Sequence, residues 1–119
     1  MAEYRLGEVE TRFADLIWDH APLSSRQLSE LALEKLNWKR TTTYTVLKRL
    51  CDRGLFQNQG GTVSVLVSRE VFQAHKSEQF VETEFHGSLP AFLAAFSSQK
   101  KLSDGEINEL QSIIDSMRR

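Results

Sequence analysis

Between Lys39 and Arg53 the chain sets five cations, Lys39, Arg40, Lys48, Arg49 and Arg53, against one acid, Asp52. Thr41, Thr42, Thr43, Tyr44 and Thr45 stand directly after the first two. These residue types suit the surface of nucleic acid. Lysine and arginine displace the counterions condensed on phosphates. A threonine hydroxyl bonds to a phosphate oxygen, and its methyl group meets the methyl of a thymine. A solvated helix face has the same composition, so the surrounding elements must decide. Residues 68–119 carry six basic and eight acidic side chains, and the whole chain of 119 residues has a net charge of −1. The local basic footprint carries more information than that total.

Other reactive side chains form no catalytic pattern. His20, His75 and His86 are scattered, and the nearest approach to metal-ligand spacing is Glu82 with His86. Gly60-Gly61 lies between two β runs rather than before a helix, so it makes no phosphate loop. The single cysteine, Cys51, excludes a disulfide framework and reads as a small apolar core residue. The expectation is a protein that is not an enzyme and takes no metal or cofactor. No apolar run reaches about 18 residues, and Met-Ala-Glu-Tyr-Arg opens no signal peptide. A cytoplasmic protein without membrane insertion follows.

Local patterns supply the elements that must hold the basic segment. Leu6, Val9, Phe13, Leu16 and Ile17 recur at helical spacing, with Glu3, Glu8 and Glu10 near the start, and the helix should stop at Ala21-Pro22. Ser24-x-x-Gln27 is a capping box opening a second helix with Leu28, Leu31, Ala32 and Leu36 inside. A third helix runs from about Arg40 to Arg53 with Thr43, Val46, Leu47 and Leu50 inward, and Gly54 ends it. Leu55–Asn58 and Thr62–Val67 read as a hairpin around Gln59-Gly60-Gly61, with Val63, Val65 and Val67 on one face. Ser68 caps a helix to about Phe85. Ser88 caps a short one through Phe96, followed by a polar loop over residues 97–101. Ser103-x-x-Glu106 opens the last.

Three short helices followed by a hairpin is the element order of a winged helix-turn-helix. The predicted fold is mainly α with a small β-hairpin wing. Residues 1–68 form a winged-helix DNA-binding domain and residues 69–119 a helical dimerisation domain, with a hinge around Ser68-Arg69. A recognition helix aims its first turns into the major groove. That assigns Arg40, Thr41, Thr42, Thr45 and Arg49 to the DNA face, with Lys39 and Lys48 as flanking phosphate contacts; Tyr44 faces either the core or a phosphate. Phe72, Phe80, Phe85, Phe92 and Phe96 are five of the seven phenylalanines, more aromatic surface than about fifty residues bury alone. A homodimer accounts for them, through Phe80, Phe85, Leu89, Phe92, Phe96, Ile107, Leu110 and Ile114, and supplies the symmetry that palindromic operator DNA requires. Two other readings share the fold. One is a regulator with a small-molecule effector held between wing domain and tail. The other is a winged-helix module for protein–protein assembly, which the uncharged wing tip Asn58-Gln59-Gly60-Gly61-Thr62 would suit.

The sequence also resembles the BlaI/MecI/CopY family of bacterial repressors, the penicillinase-repressor type, from about residue 5 to 117. The resemblance rests on Leu6-Gly7-Glu8-Val9-Glu10 with Ile17-Trp18, on Trp38, and on Thr42-x-x-Thr45-Val46-Leu47-x-Arg49-Leu50-x-x-Arg53-Gly54. Gly87-Ser88-Leu89, Ala94-Ala95-Phe96 and Leu102-Ser103-x-x-Glu106-Ile107-x-Glu109-Leu110 follow in the tail. It implies a homodimeric repressor on dyad operators of resistance or metal-homeostasis genes. In the β-lactam branch a membrane sensor-protease system triggers cleavage of an Asn-Phe bond in the tail. The matching position here is Ala95-Phe96, where the Phe is kept and the Asn is not. The copper branch carries a Cys-rich tail, whereas this chain ends Met117-Arg118-Arg119.

Overall fold

The computed structural model describes residues 5–118; Glu3 and Arg119, at the chain's two ends, lie outside them. The elements run α1 (Glu8–His20), β1 (Leu23–Ser24), α2 (Ser25–Leu36), α3 (Arg40–Asp52), β2 (Phe56–Gln59), β3 (Thr62–Val65), α4 (Arg69–Phe85), α5 (Leu89–Gln99) and α6 (Asp104–Ser116). The chain divides into two compact units between Ser77 and Glu78, inside α4.

Four of the six described helices begin at a serine cap. The Ser24 hydroxyl accepts from the Gln27 N–H at 3.0 Å, and Gln27 Oε1 accepts in return from the Ser24 N–H at 2.9 Å. Ser103 and Glu106 repeat the exchange at α6, and Ser68 and Ser88 cap α4 and α5. Helix α2 ends at Asn37, whose φ of 57° turns the chain, and Trp38 N–H closes the motif on the Ala32 carbonyl. Only Asn37, Trp38 and Lys39 then separate α2 from α3.

The first unit has one core. Phe13, Ala14 and Ile17 of α1 meet Leu28 and Ala32 of α2 and Val46, Leu47 and Leu50 of α3; Leu55, Phe56 and Val63 close it from the sheet side. Thr43 is fully buried with them, and its hydroxyl finds no partner. The sheet is antiparallel in the order β1-β3-β2, with a two-residue turn at Gly60-Gly61 whose φ angles are 60° and 83°. Both positive angles suit glycine in the tightest hairpins.

Several expectations change. Strand β1 is an addition: two residues after Pro22 pair with Val63 and Thr62, too short for any periodicity to reveal. The Val63, Val65, Val67 alternation fails, because β3 ends at Val65. There the Leu66 and Val67 N–H groups both turn back to the Leu55 carbonyl, which leaves Val65 exposed. Val9 lies off the α1 stripe, half exposed, since the core begins only at Phe13. Helix α5 continues through the expected polar loop to Gln99, with the Ser97 and Ser98 hydroxyls bonding to the Ala94 and Ala95 carbonyls.

The junction expected to be a hinge is pinned. Arg69 reaches Asp15 Oδ1 at 3.2 Å and Asp19 Oδ1 at 2.7 Å, donates to the Asp15 carbonyl at 3.3 Å, and lies 5.6 Å from the centre of the Trp18 ring. Trp18 donates from Nε1 to the Val67 carbonyl at 2.9 Å and packs on Phe56 and Phe72. Phe72, grouped above with the tail aromatics, is therefore core to the first unit.

In the second unit Phe80, Phe85, Phe92 and Phe96 come together, with ring centres 5.5–6.2 Å apart along the pairs Phe80–Phe85, Phe80–Phe92, Phe85–Phe92 and Phe92–Phe96. Gly87, with φ 81°, and His86, with φ 51°, make the turn between α4 and α5. No described side chain of α5 or α6 is fully buried.

Candidate nucleic-acid interface

Four buried residues on α3, Thr43, Val46, Leu47 and Leu50, fix which way the rest of the helix points. At 3.6 residues per turn the row opposite them is Thr41, Thr45, Lys48 and Asp52. All four are exposed. Thr45 donates its hydroxyl proton to the Thr41 carbonyl at 2.9 Å, which leaves its oxygen able to accept. Lys48 is held by Asp52 at 3.1 Å, an exposed i,i+4 pair that water and salt weaken readily.

One flank of this row carries Thr42, Arg49 and Arg53 and looks toward the start of α1. Arg49 Nη1 donates to Glu10 Oε2 at 3.0 Å, and Arg53 lies 3.8 Å from the same oxygen. Glu10 is itself held by the Gly7 N–H at 3.2 Å, while Arg53 donates to the Arg5 carbonyl at 3.0 Å. Burial raises the Glu10 pKa. The Gly7 N–H and the two guanidiniums outweigh it, so the carboxyl sits below its ordinary value.

The other flank carries Arg40 and Tyr44 and looks toward the start of α2. The Arg40 guanidinium lies 5.7 Å from the centre of the Tyr44 ring. Side-chain hydrogen bonds from Ser25 and then Arg40 lower the Tyr44 pKa against a smaller effect of burial, and the Arg26 charge acts in the same direction. The Ser25 N–H in turn donates to the Gly61 carbonyl in the wing turn at 2.8 Å. The beginning of α2, the beginning of α3 and the wing are thus tied at one place. Lys39 precedes α3 without any side-chain cap, which leaves the first N–H groups of the helix open to an anion.

Among the described residues no three His, Cys, Asp or Glu side chains gather to hold a metal. Cys51 is half-buried, and burial followed by the nearby Asp52 raises its pKa, so it is a poor nucleophile. A basic helix projecting from a three-helix core, with a hairpin beside it, is equipped to contact a polyanion. A family model described as the penicillinase repressor matches residues 6–116, through both units. The chain belongs to the penicillinase repressor family. The fold is accordingly a winged helix, with α3 as its third helix and β2–β3 as its wing. Similar proteins include the penicillinase repressor of Bacillus licheniformis, 25% identical over 115 residues, covering 93% of this chain and 90% of that protein. The methicillin resistance regulatory protein MecI of Staphylococcus aureus is 23% identical over 116 residues, covering 94% of each.

Within this penicillinase repressor fold, Lys39, Arg40, Thr41, Thr42, Thr45, Lys48 and Arg49 are all exposed, with Arg40 and Arg49 on opposite flanks of the row formed by Thr41, Thr45 and Lys48. Arg49 stands apart, because its guanidinium already has an acid partner on another helix. Sequence patterns missed Arg26, exposed at the start of α2, and the partners Glu10, Ser25 and Asp52. Arg26 follows directly on the Ser24 cap, and a helix-turn-helix carries its second helix's N-terminus close to the backbone of the duplex, so the signal was available. Of the tail residues, Phe80, Leu89, Phe96, Ile107 and Ile114 are exposed, and Phe85, Phe92 and Leu110 are half-buried. Ile113 and Met117, outside the eight residues expected at the dimer surface, share that exposure.

Proposed function

We propose that this protein is a homodimeric transcriptional repressor acting on bacterial promoter DNA, one α3 entering each half of a dyad operator. The observation that carries this is the α3 surface. A threonine row lies at its centre, Arg40 and Lys39 stand at an uncapped helix start, and Arg26 approaches from the neighbouring helix. Phosphate contacts from Lys39, Arg40 and Lys48 supply register, and Thr41, Thr42, Thr45 and Arg49 face the base edges. The names of the relatives, a penicillinase repressor and a methicillin resistance regulator, favour genes of the antibiotic-resistance type as targets.

The apolar surface left open on α5 and α6 supports dimerisation through this unit. A groove of about 290 Å³ between the two helices is lined by Phe92, Leu93, Phe96, Leu102, Leu110 and Ile113, with Glu106 and Glu109 at its edge. Released repression then follows from loss of the dimer, since a single half-site holds DNA weakly at physiological salt. A sensor protease acting at Ala95-Phe96 is one route. Both residues are exposed, and the bond lies within the last turns of α5, so cleavage there requires local opening of the helix.

Fluorescence anisotropy tests this with a duplex covering the promoter of the protein's own operon, a scrambled duplex, and several salt concentrations. The expected result is a preference of about 10³-fold or more with a steep negative salt slope. Equal, weak binding to both duplexes, or none at low salt, overturns it and favours the protein-assembly reading of the fold.

A further inference from the structure

Arg49 carries the feature of the α3 surface that a simple basic helix lacks. Its guanidinium sits on the flank shared with Thr42, about half exposed, with Nη1 donating to Glu10 at 3.0 Å. Glu10 is fixed from three sides, by Arg49, by the Gly7 N–H and by Arg53. Arg53 is fixed in turn on the Arg5 carbonyl. Helix α1 therefore presents a carboxylate shared by Arg49 and Arg53, whose negative charge offsets part of the attraction Arg49 would feel for a phosphate. A guanidinium has five donors in a fixed plane, and the bond to Glu10 uses one of them. Nε and Nη2 remain, oriented but electrostatically muted. Two parallel donors held in place match the O6 and N7 acceptors of guanine.

We propose that Glu10 is a specificity-determining positioning residue: it converts Arg49 from a phosphate-seeking charge into an oriented donor that reads a guanine edge. This rests on the DNA-binding reading of α3 given above. It predicts an arrangement in which discrimination and general affinity move in opposite directions. With Glu10 neutral, Arg49 swings to the backbone, binding to any DNA strengthens, and the advantage of the operator shrinks.

The test uses the full-length protein with the promoter and scrambled duplexes, measured across a salt series. Glu10→Gln is expected to lower the operator-to-scrambled ratio about tenfold, to raise affinity for scrambled DNA, and to steepen the salt slope by about one, the increment for one added phosphate contact. In an Arg49→Gln background the same change should leave the operator-to-scrambled ratio unaltered, since Arg53, the other partner of Glu10, is not assigned to a base edge. Arg49→Lys keeps the charge but not the paired donors, and should reduce the ratio with the salt slope nearly unchanged. This variant also serves if Glu10→Gln melts too low to assay. Equal shifts on both duplexes with an unaltered slope would show Glu10 to be a packing contact and overturn the proposal. An Arg49→Gln change that weakens both duplexes alike and flattens the slope would make Arg49 a phosphate contact, and overturn it too. If the unaltered protein shows no operator preference, the functional reading has failed rather than this inference.

Discussion

At the scale of single residues, charge and hydrogen-bond capacity decide more than identity. Lys48 stands on the exposed row of α3 with only Asp52 as partner. Lys48→Ala is expected to weaken binding alike on operator and scrambled duplexes and to reduce the salt slope by about one, measured by anisotropy. Glu10 has a consequence for stability as well. Its carboxyl pKa in the folded chain lies below the ordinary 4.5. A depressed carboxyl contributes stability above its unfolded pKa and loses it as pH falls through the folded value. Thermal melts of the native chain should therefore drop as pH falls below about 4.5, and Glu10→Gln should flatten part of that fall. The residues of α3 were legible in the sequence because a 3.6-residue period separates inward from outward positions. Their partners were not. Glu10 is 39 positions from Arg49, and no local pattern joins two residues on different helices. Tyr44 stayed ambiguous for the same reason, since Ser25 and Arg40 together decide its place.

At the scale of elements, the four serine caps and the glycine turns were legible because each is a short-range signal. The capping boxes at Ser24 and Ser103 fixed the starts of α2 and α6, and Asn37 rather than glycine turned the chain between α2 and α3. What escaped was made by distant partners. Strand β1 exists only because β3 offers it an edge, and α5 runs on through Ser97 and Ser98 because those hydroxyls serve the helix's own carbonyls. The junction after β3 is another case. Arg69 looks like a linker residue until Asp15, Asp19 and Trp18 are brought beside it. The wing turn offers an element-scale test. A Cβ at Gly61 would meet open space, so Gly61→Ala is strained only by its φ of 83°. The expected loss is about 1–2 kcal/mol, measured by denaturant melts, without any change in helix content. The Ser25 N–H bond to the Gly61 carbonyl means that part of this loss is also felt at the start of α2.

At the scale of the whole molecule, the two units differ in self-sufficiency. The first buries Phe13, Ile17, Leu28, Leu50 and Phe56 almost completely. The second buries no residue of α5 or α6, and exposes Phe80, Leu89, Ile113 and Met117 by half or more. The aromatic crowding that the sequence displayed pointed to this imbalance, although Phe72 joined the first core instead. Truncation after Ala95 should remove Phe96 and all of α6, and with them half of the proposed association surface. Sedimentation is expected to give a dimer for the full chain and a monomer for the truncated one. A truncated chain that still dimerises would separate association from α6.

The wing turn also bears on what else the operator can hold. Asn58, Gln59 and Thr62 surround Gly60-Gly61 with no cation among them. A hairpin that follows a recognition helix lies nearest the adjoining minor groove, and a tip without a cation adds little electrostatic attraction there. The repressor would then leave the groove's floor open. A minor-groove dye should sit on the operator beside the protein, its fluorescence undiminished on titration, and hydroxyl-radical cleavage should stay strong at those sugars. Two ligands would share one stretch of duplex, each on its own face.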